Sequence, residues 1–101
     1  MNTPHTGHAV AEEISRQIGQ RAFLMMGASG LVSDVNSLSF SIRGCKTINK
    51  VRVRLDPCDT YSVIFYKVRG LDSKTVAIVE GIYADGLHQV IESKTGLRLS
   101  L

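Results

Sequence analysis

The fold is decided by residues 37–55, which read SLSFSIRGCKTINKVRVRL. Apolar and polar side chains alternate along 38–43 and again along 50–55, with a break that begins at Gly44. A period of two is typical of a strand that buries one face and exposes the other. The segment between the two runs has the length of a hairpin connection, so the stretch predicts two neighbouring antiparallel strands.

Two further strands are predicted downstream. The segment 60–69, TYSVIFYKVR, is apolar on both faces, and it follows a turn at 56–59 that contains proline and two aspartates. The segment 74–83, KTVAIVEGIY, comes after a second turn at Gly70. Consecutive strands joined by short turns indicate an antiparallel meander.

Helices are predicted on both sides of these strands. In residues 8–18 apolar side chains recur at spacings of three and four, which makes one stripe on a helix that ends at Gly19. A second helix is predicted from Asp85 to Lys94, with Gly96 at its end. The apolar stripes are formed by Val10, Ala11, Ile14 and Ile18, and by Leu87, Val90 and Ile91.

Three segments are less clear. Residues 21–26, RAFLMM, suit either a short buried strand or an extension of the first helix. The stretch 27–37, GASGLVSDVNS, is rich in small and polar residues and is predicted to be a loop. The tail LRLSL at 97–101 could add a short edge strand. We expect one α+β domain over 1–101: a four- to five-stranded antiparallel meander with an N-terminal and a C-terminal helix on one face, and residues 1–7 a flexible N-terminus.

The charge is concentrated in the middle of the chain. The net charge is +3, and residues 43–69 hold seven basic and two acidic residues. On the basic strand Lys50, Arg52 and Arg54 are two apart, so their side chains should point the same way. A cationic sheet face could bind nucleic acid, or it could simply keep the sheet soluble. The candidate nucleic-acid-binding residues are Arg43, Lys50, Arg52, Arg54, Lys67 and Arg69.

The strand at 60–69 suggests a protein interface. Its second apolar face consists of Ile64, Tyr66 and Val68. If no helix covers them, they form an exposed patch of the kind that marks a contact with another protein or a homodimer. The alternative is that a helix covers this face.

No catalytic or metal-binding constellation is evident. Cys45 and Cys58 do not form a CxxC pair, and His5 and His8 add too little for a zinc site. No glycine-rich phosphate loop is present, and no segment has the roughly 20 apolar residues that a membrane helix needs. We therefore expect a non-enzymatic protein without cofactor, metal or membrane association, with reduced thiols, although a disulfide between the two cysteines stays open.

Three segments resemble a group of small uncharacterised proteins that phages and prophages encode: QIGQRAFLMMGASGLVSDVNSLSFSIRG at 17–44, DTYSVIFYKVRG at 59–70 and GIYADGLHQVIESKTGL at 81–97. Where the group has Thr-Gly-Ala-Lys, this chain has Met-Gly-Ala-Ser at 26–29, so any role of that lysine does not carry over. The resemblance implies the cytoplasm of a bacterial host and no particular chemistry.

These observations predict a small phage-type accessory protein that binds a host or viral protein, with counter-defence as one such role. The alternative is a nucleic-acid-binding protein that uses the basic sheet face. The partner is accordingly an unidentified protein or a nucleic acid, and the chain could also form a homodimer.

Overall fold

The computed structural model describes residues 6–97 and Leu99. It confirms the predicted α+β fold, with helices before and after a run of antiparallel strands. The elements are α1 (Thr6–Ile18), α2 (Gln20–Met26), β1 (Ser29–Ser33), β2 (Ser37–Ser41), β3 (Lys50–Leu55), β4 (Tyr61–Arg69), β5 (Asp72–Ile82), a single 3-10 turn (Ala84–Gly86) and α3 (Leu87–Thr95).

The strands form one open sheet in the order β1-β2-β3-β4-β5, with every neighbouring pair antiparallel. This is the predicted meander. β3 pairs with β4 only as far as Tyr66, whereas β4 and β5 stay paired to Arg69 and Asp72. The β4–β5 hairpin therefore projects beyond the rest of the sheet.

The hydrophobic core lies on one face of the sheet. Alternate side chains of β2, β3 and β4 point into it, and the apolar stripes of α1 and α3 cover them. Both helices thus pack on the same face, as predicted. The most deeply buried residues include Ile14, Ile18, Phe40, Val51, Val53, Val63, Phe65, Leu87 and Ile91.

The segment 21–26 is helical. Ala22 and Met26 are four residues apart and both are buried, while the ring of Phe23 meets Phe40 edge-on at 5.2 Å. The helix ends at Gly27, whose φ of +63° is left-handed and therefore favours glycine. A Cβ at this position would also lie 3.2 Å from the Cβ of Arg43.

The predicted loop over 27–37 is wrong, because residues 29–33 form β1. This strand lies at the sheet edge and pairs only with β2, and all its side chains are exposed. It therefore lacks the apolar alternation that reveals a strand. The pairing also shifts between Ser29 and Val32, where Gly30 has a φ of +60°.

Three details concern the ends of the chain. α1 begins at Thr6, so residues 6 and 7 are helical, and the rest of the segment expected to be flexible lies outside the described residues. In the tail, Leu97 and Leu99 belong to no strand, and positions 98, 100 and 101 lie outside the described residues. None of the helices between residues 6 and 97 has the length and hydropathy to cross a membrane.

Candidate functional site

The side of the sheet opposite the core carries no helix within the described part of the chain. We call this side the open face. Along β3, Val51 and Val53 are buried in the core, so the side chains that alternate with them lie on the open face. The pairing register adds their neighbours from the adjoining strands. The open face comprises Val32, Ser37, Ser39, Ser41, Lys50, Arg52, Arg54, Ser62, Ile64, Tyr66, Val68, Thr75 and Ile78.

Two of the three basic side chains of β3 are already partnered by carboxylates. Arg52 donates from Nε to Ser37 Oγ at 3.2 Å, and its Nη2 lies 3.5 Å from Asp34 Oδ2. Arg54 donates from Nε to Asp56 Oδ1 at 2.9 Å. Partly exposed pairs of this kind stabilise the fold by only about 0–1 kcal/mol, but they reduce the charge available to an external anion.

The second oxygen of Asp56 is also engaged. Ser62 Oγ donates to Asp56 Oδ2 at 2.5 Å. This hydrogen bond, together with the Arg54 guanidinium, lowers the pKa of the Asp56 carboxyl below its ordinary value, against a small opposing effect of burial. Asp56, which the sequence placed in a turn, therefore ties the β3–β4 turn to both of its strands.

A row of cross-strand neighbours runs across the middle of the open face. Val32 is opposite Ser39, Ser39 opposite Arg52, Arg52 opposite Ile64, and Ile64 opposite Ile78. Ile64 is only 6% exposed, because its neighbours surround it. The two ends of the row are open to solvent, since Val32 is 56% and Ile78 57% exposed. We call these five residues the central row.

The predicted interface residues lie together on this face. Ile64, Tyr66 and Val68 follow one another at alternate positions of β4, and the latter two are half-buried. The helix considered as a cover is absent from this side in residues 6–97. Sequence reasoning missed Val32 and Ile78, because Val32 lay in the supposed loop and the faces of β5 depend on its register with β4.

Lys50 and Arg43 differ from the paired arginines. Neither makes an ion pair with a described residue. Both line a depression of about 300 Å³ that also includes Asn49 and Val68. Lys50 and Val68 also line a second depression of about 260 Å³, beside Tyr66. The two depressions share walls and form one groove at the Lys50 end of the open face.

Lys67 and Arg69 lie on the opposite side from this groove. They alternate with Tyr66 and Val68 along β4. They therefore lie on the same side of the strand as Val63 and Phe65, which face the core. They belong to the part of the hairpin that extends past β3. The six predicted nucleic-acid-binding residues therefore do not form one surface: Arg52 and Arg54 are ion-paired, Arg43 and Lys50 flank the groove, and Lys67 and Arg69 lie behind it.

Cys45, Cys58 and His88 are side chains of the types that take part in nucleophilic catalysis, and they lie in different elements of the fold. Cys45 and Cys58 are both free, and they lie in the connections before and after β3, at opposite ends of that strand. The ring of His88 on α3 contacts the carbonyl of Ile18 at the end of α1 and so connects these two helices. The described residues contain no group of three or more potential metal ligands.

The thiol of Cys45 is perturbed by its surroundings. Burial raises the pKa of Cys45, but hydrogen bonds from the side chain and backbone of Thr47, from the backbone of Ile48 and the nearby Lys67 charge outweigh it, so the pKa lies below its ordinary value. The Thr47 hydroxyl lies 3.6 Å from the sulfur.

Comparison with protein-family models, curated proteins and solved structures gives no match for this chain.

Proposed function

We propose that this chain is a small non-enzymatic accessory protein that binds another protein through the open face. The observation that carries the proposal is the exposure of Ile78 and Val32 at the two ends of the central row. An antiparallel sheet with one solvated face ordinarily presents polar side chains there. Here the apolar side chains of Val32, Ile64 and Ile78 lie among the polar ones.

The composition of the open face suits a protein contact. Its apolar patch on β4 and β5, formed by Ile64, Ile78 and the half-buried Tyr66, lies beside the serines of β2 and the arginines of β3. Specific protein interfaces have a similar arrangement, with a desolvated centre, a polar rim, and tyrosine and arginine enriched. Ile78 and Val32 are the side chains whose burial would contribute most, at about 25 cal/mol per Å² of apolar surface removed from water.

Charge indicates which partner would fit. Lys50 and Arg43 lie at one end of the face without carboxylates of their own among the described residues. A partner should therefore present a row of apolar side chains with carboxylates at one end. Those carboxylates would lie against the groove beside Tyr66.

The same features make nucleic acid a poorer ligand for this face. Arg52 and Arg54 already have carboxylate partners, so contact with phosphates would have to displace them. Tyr66 is the one aromatic side chain among the open-face residues named above, and its neighbours Ile64 and Ile78 offer no further surface for base stacking. The phage resemblance supports a host or viral protein as the partner, in a bacterial cytoplasm, with counter-defence as one such role.

A selection experiment tests the proposal. Random peptides displayed on phage are enriched on the wild-type protein alone, and the affinity of the enriched peptides for Ile78→Asp is then measured. The matched control is Leu71→Asp, which makes the same chemical change at a fully exposed hairpin tip off the face. We expect enriched peptides that combine apolar and acidic residues, bind wild type and Leu71→Asp alike, and bind Ile78→Asp at least about tenfold more weakly.

Two results would contradict the proposal. One is a set of enriched peptides that binds Ile78→Asp as well as it binds wild type. The other is a stable dimer in sedimentation equilibrium that Ile78→Asp dissociates, because a second copy would then occupy the face. Circular dichroism of each variant verifies that the fold is retained.

A further inference from the structure

The projecting hairpin gathers basic side chains that are distant in sequence. Lys67 lies directly opposite Lys74 in the β4–β5 pairing. The ammonium group of Lys67 donates to the backbone carbonyl of Lys46 at 2.9 Å, so the β2–β3 connection lies beside the hairpin. We call Lys46, Lys67, Arg69 and Lys74 the basic end. They line a depression of about 400 Å³ together with Asp72 and Ser73.

This arrangement places like charges together. Two lysines opposite each other on neighbouring strands destabilise a sheet by comparison with a complementary pair. Asp72 is the only carboxylate that lines the depression, and no ion pair joins it to the four cations within the described residues. The positive potential extends to Cys45, whose pKa the Lys67 charge helps to lower. The basic end therefore has unneutralised charge.

Three carboxylates lie at the other end of the sheet. Asp34 lies in the β1–β2 turn, and Asp56 and Asp59 lie in the β3–β4 turn. A hydrogen bond from the Leu55 amide to the Asn36 carbonyl joins these two turns. Negative charge is thus concentrated at one end of the strands and positive charge at the other. The end with the carboxylates supplies the ion-pair partners of Arg52 and Arg54.

We propose that the basic end binds the phosphate groups of a single-stranded nucleic acid. Lysine and arginine are the side chains that bind phosphate, and four of them surround one depression. Neighbouring strands are about 4.8 Å apart and alternate residues about 6.6 Å apart, so the cations are spaced to contact several phosphates of one chain. The inference does not rest on the proposed protein-binding function.

The position of the charges favours a flexible polyanion over a flat lipid surface. Lys67, Lys74 and Lys46 lie on one side of the sheet end, whereas Arg43 and Lys50 line the groove on the other side. A single strand can follow cations around an edge. A bilayer would contact only one of the two sides.

The test is the anisotropy of a fluorescent oligothymidine titrated with the full chain at low salt. Lys74→Glu is compared with Lys94→Glu, because both variants change the net charge equally and Lys94 lies on α3 and does not line the depression at the basic end. Lys74→Glu also turns the like-charged pair into a complementary one, so loss of folding is not expected.

We expect wild type to bind with an affinity that falls as salt rises from about 50 to 200 mM. Lys74→Glu should bind about tenfold more weakly, and its log–log salt slope should be lower by about 0.7 for each phosphate that it no longer binds. Lys94→Glu should stay within about twofold of wild type, since net charge alone is a weak determinant. Pyrophosphate should compete and should shift the amide resonances of Lys67 and Lys74.

Three outcomes would overturn the inference: no binding at low salt, an equal loss in both variants, or binding to phosphatidylserine vesicles in place of the oligonucleotide. Ile78→Asp keeps the two proposals distinguishable. It should retain oligonucleotide binding even where it abolishes peptide binding, because Ile78 is not part of the basic end.

Discussion

The side chain of Asn49 pairs with the backbone of Val68 as if it were another residue of β3. Asn49 Nδ2 donates to the Val68 carbonyl at 2.9 Å, and the Val68 amide donates to Asn49 Oδ1 at 2.8 Å. This double hydrogen bond lies where β3 ends and the β4–β5 hairpin continues. It attaches the β2–β3 connection to the hairpin and so holds the groove and the basic end together.

Asn49→Ala should destabilise the fold by about 1–3 kcal/mol, because two part-buried hydrogen bonds disappear and two backbone groups are left without partners. Urea denaturation measures the change in the free energy of unfolding. Asn49→Asp keeps the acceptor for the Val68 amide but sets a carboxylate oxygen against the Val68 carbonyl, so it should be destabilised as well. A decrease below about 0.5 kcal/mol for Asn49→Ala would show that the hairpin does not depend on this pairing.

Lys74→Glu should stabilise the protein by about 0.2–1 kcal/mol, because it replaces a like-charged cross-strand pair with an opposite-charged one. Lys74→Gln only removes the repulsion and should give a smaller gain. Thermal unfolding of the three proteins at low salt measures the difference, which should shrink as salt is added. Unchanged or lower stability of Lys74→Glu would mean that Lys67 and Lys74 do not face each other in solution.

Asp56 predicts a pH dependence. Its pKa in the folded chain lies below the ordinary value of 3.8, because Ser62 and Arg54 favour the charged form. Its contribution to stability should therefore be complete above about pH 4 and be lost as the pH falls through the folded pKa. Asp56→Asn should remove this part of the acid sensitivity. Ser62→Ala removes the hydrogen bond that lowers the pKa of Asp56 most, so the pH midpoint of acid unfolding should rise. An unchanged pH profile of stability in both variants would contradict the role given to Asp56.

Cys45 should be alkylated with a pH midpoint below that of free cysteine measured under the same conditions. The measurement uses Cys58→Ser, so that one thiol is followed. Adding Thr47→Val removes the hydroxyl hydrogen bond and should move the midpoint upward, because that bond favours the thiolate. A midpoint at or above that of free cysteine without the Thr47 change would contradict the described environment. Intact mass under non-reducing conditions should show both thiols free.

Much of the sheet could be predicted from the sequence, because β2 and β3 each bury one face and expose the other. The apolar and basic residues of Lys50–Leu55 alternate without interruption, and the structure follows that alternation. β1 could not be predicted in this way, since no side chain of this edge strand is buried. The sequence of α2 did not distinguish a helix from a strand, because a six-residue apolar run fits the period of either. The helix is selected because it buries both Ala22 and Met26.

The binding surfaces were less predictable than the fold. The basic block 43–69 suggested one surface, but carboxylates from two turns partner Arg52 and Arg54. Lys74 lies outside that block and faces Lys67 only because of the β4–β5 register. That register contains a shift between Phe65 and Tyr66, so the alternation of β5 taken alone does not reveal which of its residues share the open face.

Protein binding through the open face is tested most directly by the solvent accessibility of isoleucine and leucine methyl groups, measured by relaxation from a soluble gadolinium chelate. Ile78 on the open face should relax strongly, while Ile14 and Ile91 in the core should be protected. Adding a peptide enriched in the selection should protect Ile78 and leave the hairpin-tip Leu71 exposed. Protection of Ile78 in the free chain to the level of Ile91 would contradict the central claim, because the face would then already be covered.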